Sequence, residues 1–256
     1  MVLPVEDLVT WGSQFIWALL RIGGFLMVAP VFGNQLVPGR VKVAMAIAIA
    51  IVVAPLLHPM PVITEISVAL IADVAIQLFA GIGLGFATVV FFQLFVVAGQ
   101  FIGMQMGLGF AAMVDPGSGV QVTVWSQFFL LLVTLTFIAM NGHLVLLDVL
   151  VAGYKLYPTG FGHSTQEVAL KIAELGGWMF VSGVLVALPA VISLLIVNMA
   201  FGVMSRSAPQ LNVFSLGFPF SLVFGLLIVW VALHGWLPQF ERLSREILDI
   251  TLSWMA

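Results

Sequence analysis

Residues 66–101 read ISVALIADVAIQLFAGIGLGFATVVFFQLFVVAGQF, 36 residues in which Asp73 is the one charged side chain. A straight helix of that length measures ~54 Å, against ~30 Å of hydrocarbon in a bilayer. The run is therefore expected to kink, to cross twice, or to leave the membrane, and Gly81, Gly83 and Gly85 mark the expected bend. The rest of the chain has the same character. It is 62% hydrophobic and 7% charged, with a mean hydropathy of +1.21. Soluble domains carry roughly 25% charged residues. So few charges cannot cover a water-facing globule, and the apolar surplus needs lipid or a large protein partner as its solvent.

With the membrane span as the unit, 256 residues hold about five to seven apolar segments. The expected fold class is all-α, a polytopic helical membrane protein with broken or re-entrant helices. No linker or internal repeat divides it, so residues 1–256 are expected to form a single helical domain. Net charge is −3, and no Lys or Arg occurs between Lys42 and Lys155. That excludes the clustered cations of a nucleic-acid surface. There is no cysteine, which excludes disulfides, thiol catalysis and cysteine-ligated metals. The start, MVLPVED, is acidic where a cleavable leader is basic.

Outward from the long run, Trp11–Pro30 carries one mid-span charge, Arg21, and Val41–Leu57 ends at Pro55. Trp125–Val151 forms a further run. Ser164 and Glu167 stand at capping-box spacing, so a helix is expected to begin near Thr165 and continue towards Met204, kinked at Pro189. Val213–Leu237 is the last run. In the tail, residues 240–256, Phe240, Leu243, Ile247, Ile250 and Trp254 recur at helical steps. This predicts an amphipathic helix whose stripe docks on a partner or lies at the membrane surface. Cations cluster after the first run, within Gly153–Glu174, and in the tail. Those regions share one side only if the long run crosses twice.

Few residues could carry chemistry. Arg21 at depth needs a partner, for which Asp73 or Asp148 is the candidate, and Asp73 with Gln77 shares one helical face. A gating pair and a structural pair both fit these buried charges. The four histidines form no metal-ligand spacing, and Walker, dinucleotide and Gly-x-Ser-x-Gly patterns are missing. Neither catalytic residues nor cofactors are therefore expected. The unusual stretch is residues 99–119, GQFIGMQMGLGFAAMVDPGSG. Gly99, Gly103 and Gly107 fit close helix packing. Yet glycine-rich backbone at membrane depth must be buried in protein or line a cavity, and Met104, Met106 and Met113 are adaptable fillers. The stretch reads either as a packing seam or as a channel plug.

Three groups of residues extend the reading. Arg21-Ile22-Gly23-Gly24-Phe25 with Ala29-Pro30-Val31-Phe32-Gly33, then Gln105-Met106-Gly107-Leu108-Gly109-Phe110 with Asp115-Pro116, then Arg206–Phe214 with Gly217-Phe218-Pro219, occur in order along the chain. This pattern resembles the FliR family, export-gate subunits of flagellar type III secretion with counterparts in virulence injectisomes. The resemblance implies a helical hetero-oligomeric gate built with P-type and Q-type subunits (FliP, FliQ) and contacting an FlhB-type switch subunit. It implies a place in the bacterial inner membrane at the base of the flagellum, and unfolded proteins as the exported cargo. It implies no enzymatic activity, since the energy comes from a separate ATPase and the proton-motive force. It also assigns the channel plug to Gln105, Met106, Gly107, Phe110, Met113, Asp115 and Pro116. The competing classes are a small-solute secondary transporter, which would explain the broken segments and Arg21, and an intramembrane enzyme, for which paired catalytic groups are missing.

Overall fold

The computed structural model describes residues 5–33, 37–57, 61–63, 67–109, 123–156, 165–207 and 213–254. Among them every regular element is a helix. In chain order these are α1 (Val5–Val28), α2 (Gly39–Val53), α3 (Val68–Gln105), α4 (Val124–Ala139), α5 (Gly142–Leu156), α6 (Thr165–Ser207), α7 (Val213–Ala232) and α8 (Trp236–Leu252). Short 3₁₀ turns follow α2 at Ala54–Leu56, where Pro55 sits, and α7 at Leu233–Gly235. Five stretches are long and apolar enough to cross a membrane. The pair α4–α5 adds a sixth if taken as one broken span. The chain is an all-helical membrane protein.

The chain forms two compact units. One comprises Met1–Val90, Phe137–Gly176 and Arg245–Ala256, the other Phe91–Thr136 and Gly177–Ser244. In the first unit α1 lies against α3 through glycines. A Cβ on Gly24 would stand 2.8 Å from the carbonyl oxygen of Leu78, and one on Gly85 would stand 2.9 Å from that of Phe25. A Cβ on Gly81 would run into the Arg21 carbonyl oxygen. On the other face of α3, Gly83 approaches Ile172 of α6 and Trp254 beyond α8. Trp17, Ile22, Phe25, Leu84, Leu150, Leu175 and Ile247 fill this core. α2 turns Ala46, Ala50 and Val53 inward and leaves Val43, Ile47 and Ile51 exposed.

The second unit has an aromatic core. Trp236 lies 4.9 Å from Phe95 and 5.8 Å from Phe129, and Phe240 lies 5.4 Å from Phe91. The Trp236 indole N–H donates to Thr136 Oγ1 at 2.9 Å. The striped face of the tail is thus covered within the chain, with Phe240, Leu243, Ile247 and Trp254 all buried. The sequence pattern pointed instead to a partner or the membrane surface.

Two expectations about breaks change. α3 is one unbroken 38-residue helix, and its three glycines serve close packing. The reason is burial: 67% of its most apolar window is inside the protein, against 22% for α2 and 28% for α6. The break falls at Asn141, between α4 and α5, where the chain bends by 67°. Asn141 has φ 56°, a left-handed conformation that ends α4, and Asn tolerates it better than most residues. Gly142 next to it fits under the Phe137 ring, which a Cβ would strike. α6 begins at Thr165, where the Ser164 and Glu167 spacing placed its start, and carries Pro189 within a continuous 43-residue helix.

Candidate functional site

The segment singled out in the sequence begins in the last turns of α3. Gly99 and Gly103 face the first turn of α4. A Cβ on Gly99 would lie 2.7 Å from the Ser126 backbone, and one on Gly103 would lie 2.6 Å from Thr123 Oγ1. Thr123 is the N-cap of α4, its hydroxyl oxygen accepting the Ser126 N–H at 3.3 Å. The Thr123 hydroxyl lies 3.2 Å from the Gly99 carbonyl, and its backbone N–H donates to Gln100 Oε1 at 3.0 Å. Ser126 Oγ reaches the Val96 carbonyl at 3.0 Å and Gln100 Oε1 at 3.1 Å. The Thr123 and Ser126 hydroxyls and Gln100 Oε1 are thus all bonded, as polar groups buried among apolar helices require.

Gly107, four residues on, does something different. Its φ of 83° turns the backbone out of the helix. The Gly107 N–H then bonds the Met104 carbonyl and the Leu108 N–H bonds the Gly103 carbonyl, both at 3.0 Å. This is the double hydrogen bond of a Schellman stop, which favours glycine at the left-handed position. Three evenly spaced glycines therefore divide into two that pack and one that terminates.

The same turn is held from α6 and α7. Asn198 Nδ2 donates to the Gln105 carbonyl at 3.2 Å, and Ser221 Oγ donates to Asn198 Oδ1 at 2.7 Å. Met106 is 1% exposed and rests on Gly225, where a Cβ would stand 2.5 Å from its Cε and 2.7 Å from its Sδ. Of the candidate plug residues, Gln105, Met106 and Gly107 are thus placed on one turn. Phe110, Met113, Asp115 and Pro116 lie outside the described residues.

In the first unit Arg21 is 2% exposed. Its Nε donates to Gln77 Oε1 at 2.8 Å, and its guanidinium carbon stands 4.0 Å from the centre of the Tyr154 ring. A neutral amide and an aromatic face are thus among its partners. Asp73 is half-buried one turn before Gln77 on α3. The Tyr154 hydroxyl lies 3.1 Å from the Ala18 carbonyl and 3.2 Å from that of Trp17. The Trp17 indole donates to the Pro61 carbonyl at 3.0 Å.

Sequence reasoning missed Tyr154, Gln100, Thr123, Asn198, Ser221 and Gly225. Asn198 did leave a signal, as the lone amide in the apolar run SLLIVNMAF, residues 193–201. Gly225 and Tyr154 left none, because their roles depend on neighbours more than 100 residues away.

Comparison with known proteins accounts for almost the whole chain. The family described as bacterial export proteins, family 1, matches residues 13–247. The flagellar biosynthetic protein FliR of Pectobacterium carotovorum is 34% identical over 244 residues, 95% of this chain and 93% of its own length. The Escherichia coli K12 protein of that name is 34% identical over 247 residues, covering 96% and 94%. In Bacillus subtilis the identity is 27% over 246 residues, covering 94% and 92%. With a matched family spanning residues 13–247 and this helical membrane architecture, the chain belongs to the FliR family of bacterial export proteins.

Proposed function

We propose that this chain is a core subunit of the flagellar type III export gate, forming part of the channel through which unfolded proteins leave the cell and helping to seal it. The sealing role falls to Gln105, Met106, Gly107, Phe110, Met113, Asp115 and Pro116. The observation that carries the reading is the root of that segment. The last turn of α3 is terminated at Gly107, bonded by Asn198 and seated on Gly225 directly before Phe110. A segment that must block a lumen needs a fixed point of departure, and adaptable apolar side chains such as Met113 and Phe110 suit a lumen that must also admit many sequences. The partners are P-type and Q-type subunits and an FlhB-type switch subunit, in the inner membrane at the flagellar base. Exposed apolar faces on α6 and α7, including Leu185, Ile192, Ile196, Leu227 and Trp230, give such partners and lipid a matching surface.

Co-expression with P-type and Q-type subunits, and purification through a tag on this chain, tests the assembly. A stable complex with both is expected, and a monodisperse folded chain that recruits neither would overturn the gate reading. Sealing is tested by replacing residues 110–119 with Gly/Ser of equal length. This spares Gly103, which packs against Thr123. The membrane should then leak ions while complex yield holds. Normal yield with an ion-tight membrane would overturn the sealing role.

A further inference from the structure

We infer that Asn198, buttressed by Ser221, is the positioning residue that latches the last turn of α3 and so fixes where the channel-closing segment starts. The inference rests on the sealing role proposed above. Its structural part concerns only α3, α6 and α7.

The argument begins with what a helix end leaves undone. The last four carbonyls of an α-helix have no partner within the helix. The Schellman turn uses those of Gly103 and Met104. The Gln105 carbonyl, on the last residue of α3, is taken by Asn198 Nδ2 at 3.2 Å. Asn198 arrives from α6, 93 residues along the chain, so this is a helix cap supplied by another helix. Its own carbonyl is occupied by the Ser221 hydroxyl at 2.7 Å, which fixes the amide with its N–H₂ towards Gln105. Ser221 is 6% exposed, one turn of α7 before Gly225, the seat of Met106. Hydrogen bond and seat thus act on consecutive residues, Gln105 and Met106.

An amide in the otherwise apolar run of α6 is disfavoured in hydrocarbon unless its groups are bonded. Packing alone would be served as well by Leu, which is close to Asn in shape. What Asn198 adds is a directional hold on one carbonyl at the point where α3 must stop. Removing it leaves the Schellman bonds held by packing, such as Met106 on Gly225 and Gly103 on Thr123, with no directional bond to the Gln105 carbonyl from Asn198.

The test is hydrogen exchange by mass spectrometry on the assembled complex, with ion leak measured on the same variants. N198L removes the cap, and S221A removes only the buttress. In N198L the amides of residues 103–109 should exchange about tenfold faster, as expected for loss of one hydrogen bond holding a local opening equilibrium. The first turn of α4 should be unchanged, and S221A should give a smaller effect in the same segment. A merely structural role would speed exchange in both places or lower complex yield with both segments unchanged, and either result overturns the latch. If N198L does not assemble, S221A decides: faster exchange at 103–109 supports the latch, and unchanged exchange overturns it. Faster exchange with an ion-tight membrane keeps the latch and removes the sealing role. A leak without faster exchange does the reverse.

Discussion

Gly23 and Gly24 are neighbours on α1, yet alanine at the two positions should have opposite effects. A Cβ on Gly23 meets nothing within 4 Å, while one on Gly24 stands 2.8 Å from the Leu78 carbonyl oxygen. Alanine gains about 1 kcal/mol over glycine inside a helix. Gly23→Ala should therefore stabilise by up to ~1 kcal/mol. At Gly24 an overpacking cost of roughly 1–3 kcal/mol opposes that gain, for a net loss of about 1 kcal/mol. Gly81→Ala should be the worst of the three. Its Cβ overlaps the Arg21 carbonyl oxygen and stands 2.9 Å from the Phe25 nitrogen, both backbone atoms that cannot rotate aside. α1 and α3 must separate, and separation also stretches the 2.8 Å bond from Arg21 to Gln77, one turn earlier on α3. Hydrogen bonds to charged groups contribute about 1.5–3 kcal/mol, so a net loss of roughly 3 kcal/mol or more is expected. Thermal unfolding of the purified protein in mild detergent, followed by tryptophan fluorescence, should rank the midpoints Gly23→Ala above wild type above Gly24→Ala above Gly81→Ala. Equal midpoints for Gly23→Ala and Gly81→Ala would mean that α1 and α3 do not cross at Arg21, which would refute this packing.

Tyr154→Phe keeps the ring over Arg21 but loses the hydroxyl bonded to the Trp17 and Ala18 carbonyls, and should cost about 1 kcal/mol. Tyr154→Leu also loses the cation–π contact and should cost roughly 2–3 kcal/mol in the same thermal assay. At Gly107, with φ 83°, alanine should cost about 1–2 kcal/mol and asparagine clearly less, read as faster amide exchange confined to residues 103–109. Asn141→Val puts a branched side chain at φ 56° and should lower the midpoint by the equivalent of about 1–2 kcal/mol, whereas Asn141→Gly should leave it nearly unchanged.

Much of this architecture was legible because helices announce themselves by composition and punctuation. Pro55 places the end of α2, the Ser164–Glu167 spacing the start of α6, and the stripe of Phe240, Leu243 and Ile247 the buried face of α8. The partners of those faces were not legible. A stripe says that something covers it, but Phe91 and Phe95, which meet Phe240, lie about 150 residues upstream. The glycines show the same gap. Repetition at four-residue spacing marks close approach, and Gly99 and Gly103 do approach α4. Nothing in the spacing separates them from Gly107, because a left-handed φ depends on where the helix must stop. Arg21 announced a need for partners, and nothing in its own neighbourhood named the tyrosine face and the amide that are among them.

The length of α3 shows why the bilayer ruler misled. The rule that about 20 apolar residues make one crossing assumes that lipid is the solvent along the whole helix. For α3 the solvent is mostly protein. With 67% of its most apolar window buried, its ends need not coincide with the membrane surfaces. Backbone hydrogen bonds that a break would expose stay satisfied in an unbroken helix. The space at Gly81 and Gly85 is filled by α1 on one face, and that at Gly83 by Ile172 and Trp254 on the other. The same logic explains why cation counts gave two answers about sidedness. Counting Lys and Arg in loops presumes that each long apolar run is one insertion event, and a 38-residue helix packed in protein is not bound by that presumption. Helix length in such a chain follows the protein around it where burial is high, as in α3, while α2, α6 and α7 keep exposed apolar faces to which the bilayer ruler still applies.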